Sequence, residues 1–309
     1  MSLPRLLRPA CRRFASTSAR PEPLKPTKTR RLLYPATFVI GSAAGILFFN
    51  YSPPAKQSLN PETFTAYTLT SHVPITTSPS QTSILTLLPP GNSPPPPFVP
   101  SKLQSIEIKN PYVQIARHYT PLPSKDDKIR LLIKREPDGE MSRYLFTLKP
   151  GATIELRGPH TEYELHPAAH ASKLLFLAGG TGIAPALQCA QKLLDSSENA
   201  SMRILWAVRH RSETEGAVSE ELEKLKRAYG GRLQVGIFSD EEGGIGQGMV
   251  KDAVLSWGAR RVLISGPDGF IGYWAGPKGD WVMGKESQGE VRGVLGPLHQ
   301  QKGIDVWKL

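Results

Sequence analysis

"SKLLFLAGGTGIAPALQCAQKLL", residues 172–194, decides how the second half of this chain folds. An apolar run, Leu174–Ala178, meets a turn holding Gly179, Gly180 and Gly182, and Pro185 follows at the start of a helical pattern. A buried strand, a glycine turn and a helix make half of a strand–helix–strand unit. Such turns join strands to helices in many proteins with nothing bound. They also cradle phosphates, because bare backbone N–H groups and a helix N-terminus point at the anion. The flanking sequence has to decide between the two.

Downstream the alternation continues. "MRILWAVR" (202–209) reads as a buried strand and "SEELEKLKRAYGG" (219–231) as an amphipathic helix, with Ser219 as its N-cap and Gly230-Gly231 as its stop. "LQVGIFS" (233–239) is a strand, "GMVKDAVLSWG" (248–258) a helix, and "RRVLISGPDGFI" (260–271) a strand with a tight turn. Alternation of this kind implies a parallel sheet, whose ligands sit beyond the carboxyl ends of the strands. Gly179-Gly180-Thr181-Gly182 and Ser265-Gly266-Pro267 both fall at such ends, and the fold is expected to bring them together.

Upstream the character changes. "FTAYTLTSHVPI", "TSILTLLP", "SIEIKNPYVQIA", "KIRLLIKRE" and "ATIELRGP" are short runs rich in Thr, Ile, Leu and Val, separated by turn residues, and suggest a barrel or sandwich. The proline-rich interruption at 89–101 cannot be a central strand and reads as an exposed loop or a short docking segment. "RHYTPLP" (117–123) offers a guanidinium, a phenol and a hydroxyl after a strand. "DGEMSRYL" (138–145) places a glycine turn and Ser142 ahead of a short helix, which Ser142 could cap, freeing N–H groups for a phosphate.

The chain has 309 residues and a net charge of +11. Nine Lys and Arg against one acid, Glu22, fall within residues 1–31, so that stretch carries +8 of it and the body is nearly balanced. A basic stripe of the nucleic-acid-binding kind is missing, and no nucleic-acid partner is expected. Two cysteines, Cys11 and Cys189, build no disulfide framework and no Cys-based zinc site. His160, His166 and His170 fit no familiar ligand spacing, and no metal is expected. Residues 1–31 are Arg-rich, Ser-containing and nearly free of acids, the composition of a mitochondrial transit peptide. Residues 32–51 carry no charge and are long enough to cross a bilayer as a helix. Lys25, Lys28, Arg30 and Arg31 precede that span, which predicts a single-pass inner-membrane protein with its C-terminal part in the intermembrane space. The expected organisation is therefore a leader (1–31), a transmembrane helix (32–51), a linker (52–60), a β-barrel (61–168) and an α/β domain (169–309).

The ordered set RxYT, IK, GxMS, RGP, AGGTGIxP and GPxxx resembles the ferredoxin–NADP reductase superfamily, and most of all its NADH–cytochrome b5 reductase-like members. The resemblance covers roughly residues 60–272. It implies a β-barrel that binds FAD and an α/β parallel-sheet domain that binds NAD(P)H. By motif match, Arg117 would neutralise the flavin pyrophosphate, Tyr119 would lie against the isoalloxazine and Thr120 would hydrogen-bond flavin N5. Leu132 and Lys134 correspond to a flavin-contacting strand. Gly139, Met141 and Ser142 would hold the pyrophosphate, Gly179, Gly180, Thr181 and Gly182 would cradle the dinucleotide, and Ser265, Gly266, Pro267 and Asp268 would flank the nicotinamide. Thr120 and Ser265 lie closest to the implied hydride path. Arg209 and Arg211 could grip the 2′-phosphate of NADPH or be surface charges, so the donor is written NAD(P)H. The implied activity is hydride transfer from NAD(P)H to flavin, then one-electron transfer to a haem or cytochrome-type acceptor.

The leader and span make the chain similar to fungal mitochondrial FAD reductases tied to cytochrome c maturation, which implies inner-membrane lipid and haem-attachment machinery as partners. The alternatives are a reductase with a b5-type acceptor and a flavin-binding scaffold with little turnover. Ala184, Ser265 and Asp268 depart from the family pattern, as does Thr161 after RGP. The ending "GIDVWKL" lacks the usual final aromatic, although Trp307 could shield the flavin.

Overall fold

The computed structural model of the chain describes residues 58–76, 80–91, 93–124, 126–165, 173–282 and 285–309. The expected leader and span lie outside the described residues. Among the described residues no helix is long and apolar enough to cross a membrane. A single-pass inner-membrane protein, as expected above, is therefore not supported by the described residues. The physical reason is length. The longest described helix, Ile183–Ser196, has 14 residues, about 21 Å at 1.5 Å per residue, well short of a hydrocarbon core of about 30 Å.

The first half is a six-stranded antiparallel sheet. Its strands are β1 (Thr65–Thr76), β2 (Thr82–Leu88), β3 (Lys102–Asn110), β4 (Ile115–Tyr119), β5 (Ile129–Lys134) and β6 (Thr153–Glu164), in the order β4-β3-β6-β1-β2-β5. The run "SIEIKNPYVQIA" holds parts of two strands. Pro111–Gln114 turn the chain between β3 and β4, and Gln114 takes a positive φ of 54°. Alternate residues of the strands, among them Leu85, Leu87, Ile106, Ile108, Leu131 and Ile133, face one core. Helix α1 (Glu140–Thr147) closes that core with Met141 and Leu145. Since β4 and β5 end the strand order, the sheet keeps an open seam between two edges.

The second half is a parallel five-stranded sheet, as the alternation predicts. In chain order it contains β7 (Lys173–Gly179), α2 (Ile183–Ser196), β8 (Ser201–Val208), α3 (Ala217–Tyr229), β9 (Leu233–Ser239), α4 (Gln247–Leu255), β10 (Arg261–Ser265) and α5 (Asp268–Ala275). A small hairpin, β11 (Trp281–Val282) and β12 (Lys285–Glu286), then leads to α6 (Gly296–Lys302) and β13 (Asp305–Lys308). The order is β13-β10-β7-β8-β9. Helices cover both faces, which is why β7 reads as an unbroken apolar run. Leu174 and Phe176 join the core shared with α2, α3 and the first half, while Leu175 and Leu177 join the core under α4, α5 and α6.

Two expected caps are corrected. Helix α3 begins at Ala217 with Gly216 as N-cap, so Ser219 lies inside it, while Gly230 ends it as expected. Helix α1 begins at Glu140 with Gly139 as N-cap, so Ser142 also lies inside its helix. Both glycines adopt conformations ahead of the helix that leave the serine a turn too late to cap.

The halves are stitched by α2. Buried Gln188 accepts from the Gln104 N–H at 2.8 Å and donates to the Gln104 and Pro121 carbonyls at 3.1 and 3.2 Å. Lys192 Nζ donates to the Val99 and Lys102 carbonyls at 2.9 and 2.6 Å. The proline-rich segment is thus docked on its own chain, with Phe98 packed on the barrel core beneath Lys192. Burial lowers the Lys192 pKa to about 8.

Candidate active site

A cleft of about 500 Å³ opens at the β4–β5 seam. Arg117 and Tyr119 line it from β4, Leu132 and Lys134 from β5, and Gly139, Met141 and Ser142 from the start of α1. Thr181, in the glycine turn after β7, reaches it from the α/β half. Barrel segments between Ile115 and Arg143 therefore converge with the glycine turn. Ile115, Glu136, Asp138, Glu140 and Arg143 complete the lining and were not anticipated. Contiguity was the available signal, since Glu136, Asp138 and Glu140 interleave with residues already singled out between 134 and 142.

The chemistry of this lining suits a dinucleotide with a flat ring and a diphosphate. Arg117 is exposed, its guanidinium donating to the Ala116 carbonyl at 2.8 Å. Among the described residues no ion pair is formed by Arg117 or Arg143. The N-terminus of α1 carries no side-chain cap, so its first N–H groups remain available at the cleft. Two unpaired guanidinium groups and a helix N-terminus are what a doubly charged diphosphate needs. Tyr119 offers an aromatic wall; burial pushes its phenol up to about 12 against the opposing pull of Arg117, so it stays neutral. Ser142 acts differently from the expectation. Its hydroxyl accepts from the Glu136 N–H and donates to the Gly139 carbonyl, both at 3.0 Å, closing the turn that shapes the cleft wall.

The remaining candidates lie outside the lining. Thr120 is half-buried just past β4. Gly179 and Gly182 meet the Ser265-Gly266-Pro267 segment at the carboxyl ends of β7 and β10, where Ala178 and Ser265 are register partners. A Cβ on Gly182 would stand 2.2 Å from the Ser265 carbonyl oxygen, and one on Gly179 would stand 2.9 Å from the Phe270 ring. These two glycines are explained by close packing of the turn. Gly180, with φ of 54° and open space around it, is held by Trp206, whose indole N–H donates to its carbonyl at 2.8 Å. Arg209 is exposed just beyond β8. Arg211 is occupied, donating to the Ile237 carbonyl at 2.9 Å and lying 3.5 Å from Glu242, while His210 pairs with Glu241 at 2.9 Å. Trp307 is not in the cleft lining; its N–H donates to the Glu162 carbonyl at 3.1 Å and its ring packs on Tyr163. His160 stands edge-on to His118 on the barrel, and His166 and His170 lie outside the described residues.

An antiparallel sheet with a cleft at its open seam is thus joined to a parallel sheet whose glycine turn reaches that cleft. Residues 98–165 match the family described as oxidoreductase FAD-binding domain, and residues 176–278 the oxidoreductase NAD-binding domain. An uncharacterised FAD-binding protein of Schizosaccharomyces pombe is 30% identical over 283 residues, covering 89% of this chain and 95% of that one. The NADH-cytochrome b5 reductase 2 of Kluyveromyces lactis is 26% identical over 61% of this chain and 65% of its own length. An NADH-cytochrome b5 reductase-like protein of Arabidopsis thaliana is 32% identical over 62% and 59%. The match thus spans about three-fifths of the length of these two reductases. Among solved structures, the cytochrome b5 reductase domain of Ulva prolifera nitrate reductase superposes with a TM-score of 0.57 at 20% identity, over 70% of this chain and 91% of that one, which shows the shared fold. The chain belongs to the oxidoreductases that join an FAD-binding to an NAD-binding domain, and it is similar to the cytochrome b5 reductases among them.

Proposed function

We propose that this chain passes reducing equivalents from NADH, through FAD held in the β4–β5 seam, to a cytochrome-type acceptor. The observation that carries this reading is the cleft itself: two unpaired guanidiniums and the open α1 N-terminus share one cavity with Thr181 of the glycine turn. When bound, the flavin supplies hydride acceptance and single-electron release. The protein's work is alignment and exclusion of water. Arg117 and Arg143 would neutralise the diphosphate, Tyr119 and Leu132 would flank the ring, and Gly139, Met141 and Ser142 would shape the diphosphate turn. Thr120 and Ser265 would stand at the edge of the hydride path. Gly179–Gly182 and Ser265–Pro267 would form the dinucleotide floor.

The donor assignment comes from charge. Glu241 and Glu242, beyond β9, occupy His210 and Arg211 and leave Arg209 alone to meet a 2′-phosphate. Carboxylates at that place accept from ribose hydroxyls and repel a phosphate, so NADH is the proposed donor. The narrower role in cytochrome c maturation draws its support from the sequence resemblance, and the choice of acceptor separates it from reduction of a b5-type protein.

Anaerobic stopped flow on the full chain tests the reading. Flavin absorbance in the purified protein should bleach with NADH faster than with NADPH, and the reduced protein should then reduce haem or a cytochrome. A colourless protein that takes up no FAD sinks the assignment of the cleft. A yellow protein that neither donor bleaches makes it a flavin-binding scaffold.

A further inference from the structure

Strand β5 presents Arg130, Leu132 and Lys134 on one face, because residues two apart along a strand point the same way. Leu131 and Ile133 point oppositely, into the barrel core. The first face docks on the α/β half. Leu132 enters the core shared with α2, Arg130 Nη1 lies 3.2 Å from Glu221 Oε2 on α3, and Lys134 Nζ donates to Glu213 Oε2 at 2.8 Å. An apolar centre is thus flanked by two ion pairs crossing between the halves.

The two pairs are not equivalent. Lys134 lines the cleft and Arg130 does not. The Lys134 and Glu213 side chains are only 11% and 5% exposed, against 25% and 11% for Arg130 and Glu221. Glu213 is also fixed from behind, where its Oε1 accepts from the His210 N–H at 3.4 Å. A carboxylate buried this well and held at two points cancels most of the ammonium charge facing the cleft.

We propose that Glu213 is a positioning residue that sets the charge Lys134 presents to the flavin, and so tunes the ease of its reduction. The proposal rests on the cleft being the flavin site. Hydride transfer brings negative charge into the cleft, and a cation at the wall favours the charged product. With Glu213 in place that advantage is held down. Removing the carboxylate leaves the Lys134 charge buried and uncompensated beside the ring.

Redox titration of the flavin-loaded full chain reads this directly. Glu213→Gln should shift the midpoint potential upward and Lys134→Met should shift it downward. The double variant should return close to the parent, since the two residues act as one unit. Glu221→Gln breaks the other crossing pair, and should lower the melting temperature without moving the potential. Should Glu213→Gln fail to fold, Glu213→Asp, which keeps the charge one carbon further away, should give a smaller upward shift. An unshifted potential in whichever Glu213 variant folds overturns the proposal, as does an equal shift in Glu221→Gln, since either outcome would mean domain docking alone. Absence of bound flavin in the parent chain overturns the cleft assignment, a failure seen before any variant is made.

Discussion

Two glycine turns lead into helices in this molecule, and they look alike in sequence but serve different ends. The turn before α1 opens on the cleft. A Cβ on Gly139 would stand 2.6 Å from Ser142 Oγ, the hydroxyl that closes the turn, and the helix N-terminus behind it stays uncapped. The turn before α2 closes on protein. Gly179 lies against Phe270, and Gly182 lies against the backbone of Ser265. The louder sequence signal therefore marks the tighter packing, and the quieter one lies on the open cleft. A glycine-rich turn becomes a ligand site through what faces it, and the motif by itself does not say.

Substitutions in the two turns can break or sharpen that contrast. The largest effect belongs to Gly182→Ala, whose methyl would collide with a carbonyl oxygen that no side-chain motion can clear. It should cost about 3 kcal/mol or more, read as a fall in the urea midpoint; an unchanged midpoint would show that the two strand ends are free to separate. Next comes Gly179→Ala, expected to cost about 2 kcal/mol because the Phe270 ring must swing aside. Combining it with Phe270→Leu should recover part of the loss, and strict additivity would refute the contact. Ser142→Ala removes two turn hydrogen bonds and should cost about 1 kcal/mol, with faster flavin loss on gel filtration. Retention of flavin equal to the parent would mean that the α1 turn holds its shape without that hydroxyl.

A separate test, by pH, concerns Lys192, at the far end of α2 from the glycine turn. Its pKa falls from 10.5 to about 8 on folding, through burial. Between those values the unfolded chain binds a proton that the folded chain does not, so stability rises with pH across that window. Relative to Lys192→Met, the parent should gain stability between about pH 8 and 10.5 and run parallel below pH 8. A constant difference across the window would show the ammonium to be well solvated.

Much of the architecture was legible because periodicity reports burial directly. The runs from Leu174 to Ala178 and from Leu233 to Ser239 became strands because both faces, or most of one, are covered. The Gly230 stop was legible because only glycine readily takes φ of 55° there. Exact element boundaries escaped. Ser142 and Ser219 carry cap chemistry, yet glycines upstream had already started both helices. The break between β3 and β4 falls at Asn110-Pro111, where the Asn110 side chain accepts from the Tyr112 N–H at 3.0 Å, and Gln114 completes it with a positive φ. Of the residues that line the candidate cleft, Arg117, Tyr119, Leu132, Lys134 and Met141 had been singled out by their order along the chain. Arg143 was not, because nothing local marks it: it lines the cleft beside Glu136, Asp138 and Glu140 without forming an ion pair among the described residues. Glu213 was not, because nothing local distinguishes it from the other acids near α3.

The open seam has a consequence for how the chain behaves while empty. Strands β4 and β5 end the strand order of the barrel sheet; on β5 the Arg130 carbonyl already accepts from the Leu122 N–H at 2.8 Å, whereas the edge of β4 beside the cleft is of the kind that can pair with another molecule. A cofactor lying along the seam would cover that edge. Loading with flavin is then a safeguard against self-association as well as a route for electrons, and light scattering should rise when the flavin is stripped and fall when FAD is restored.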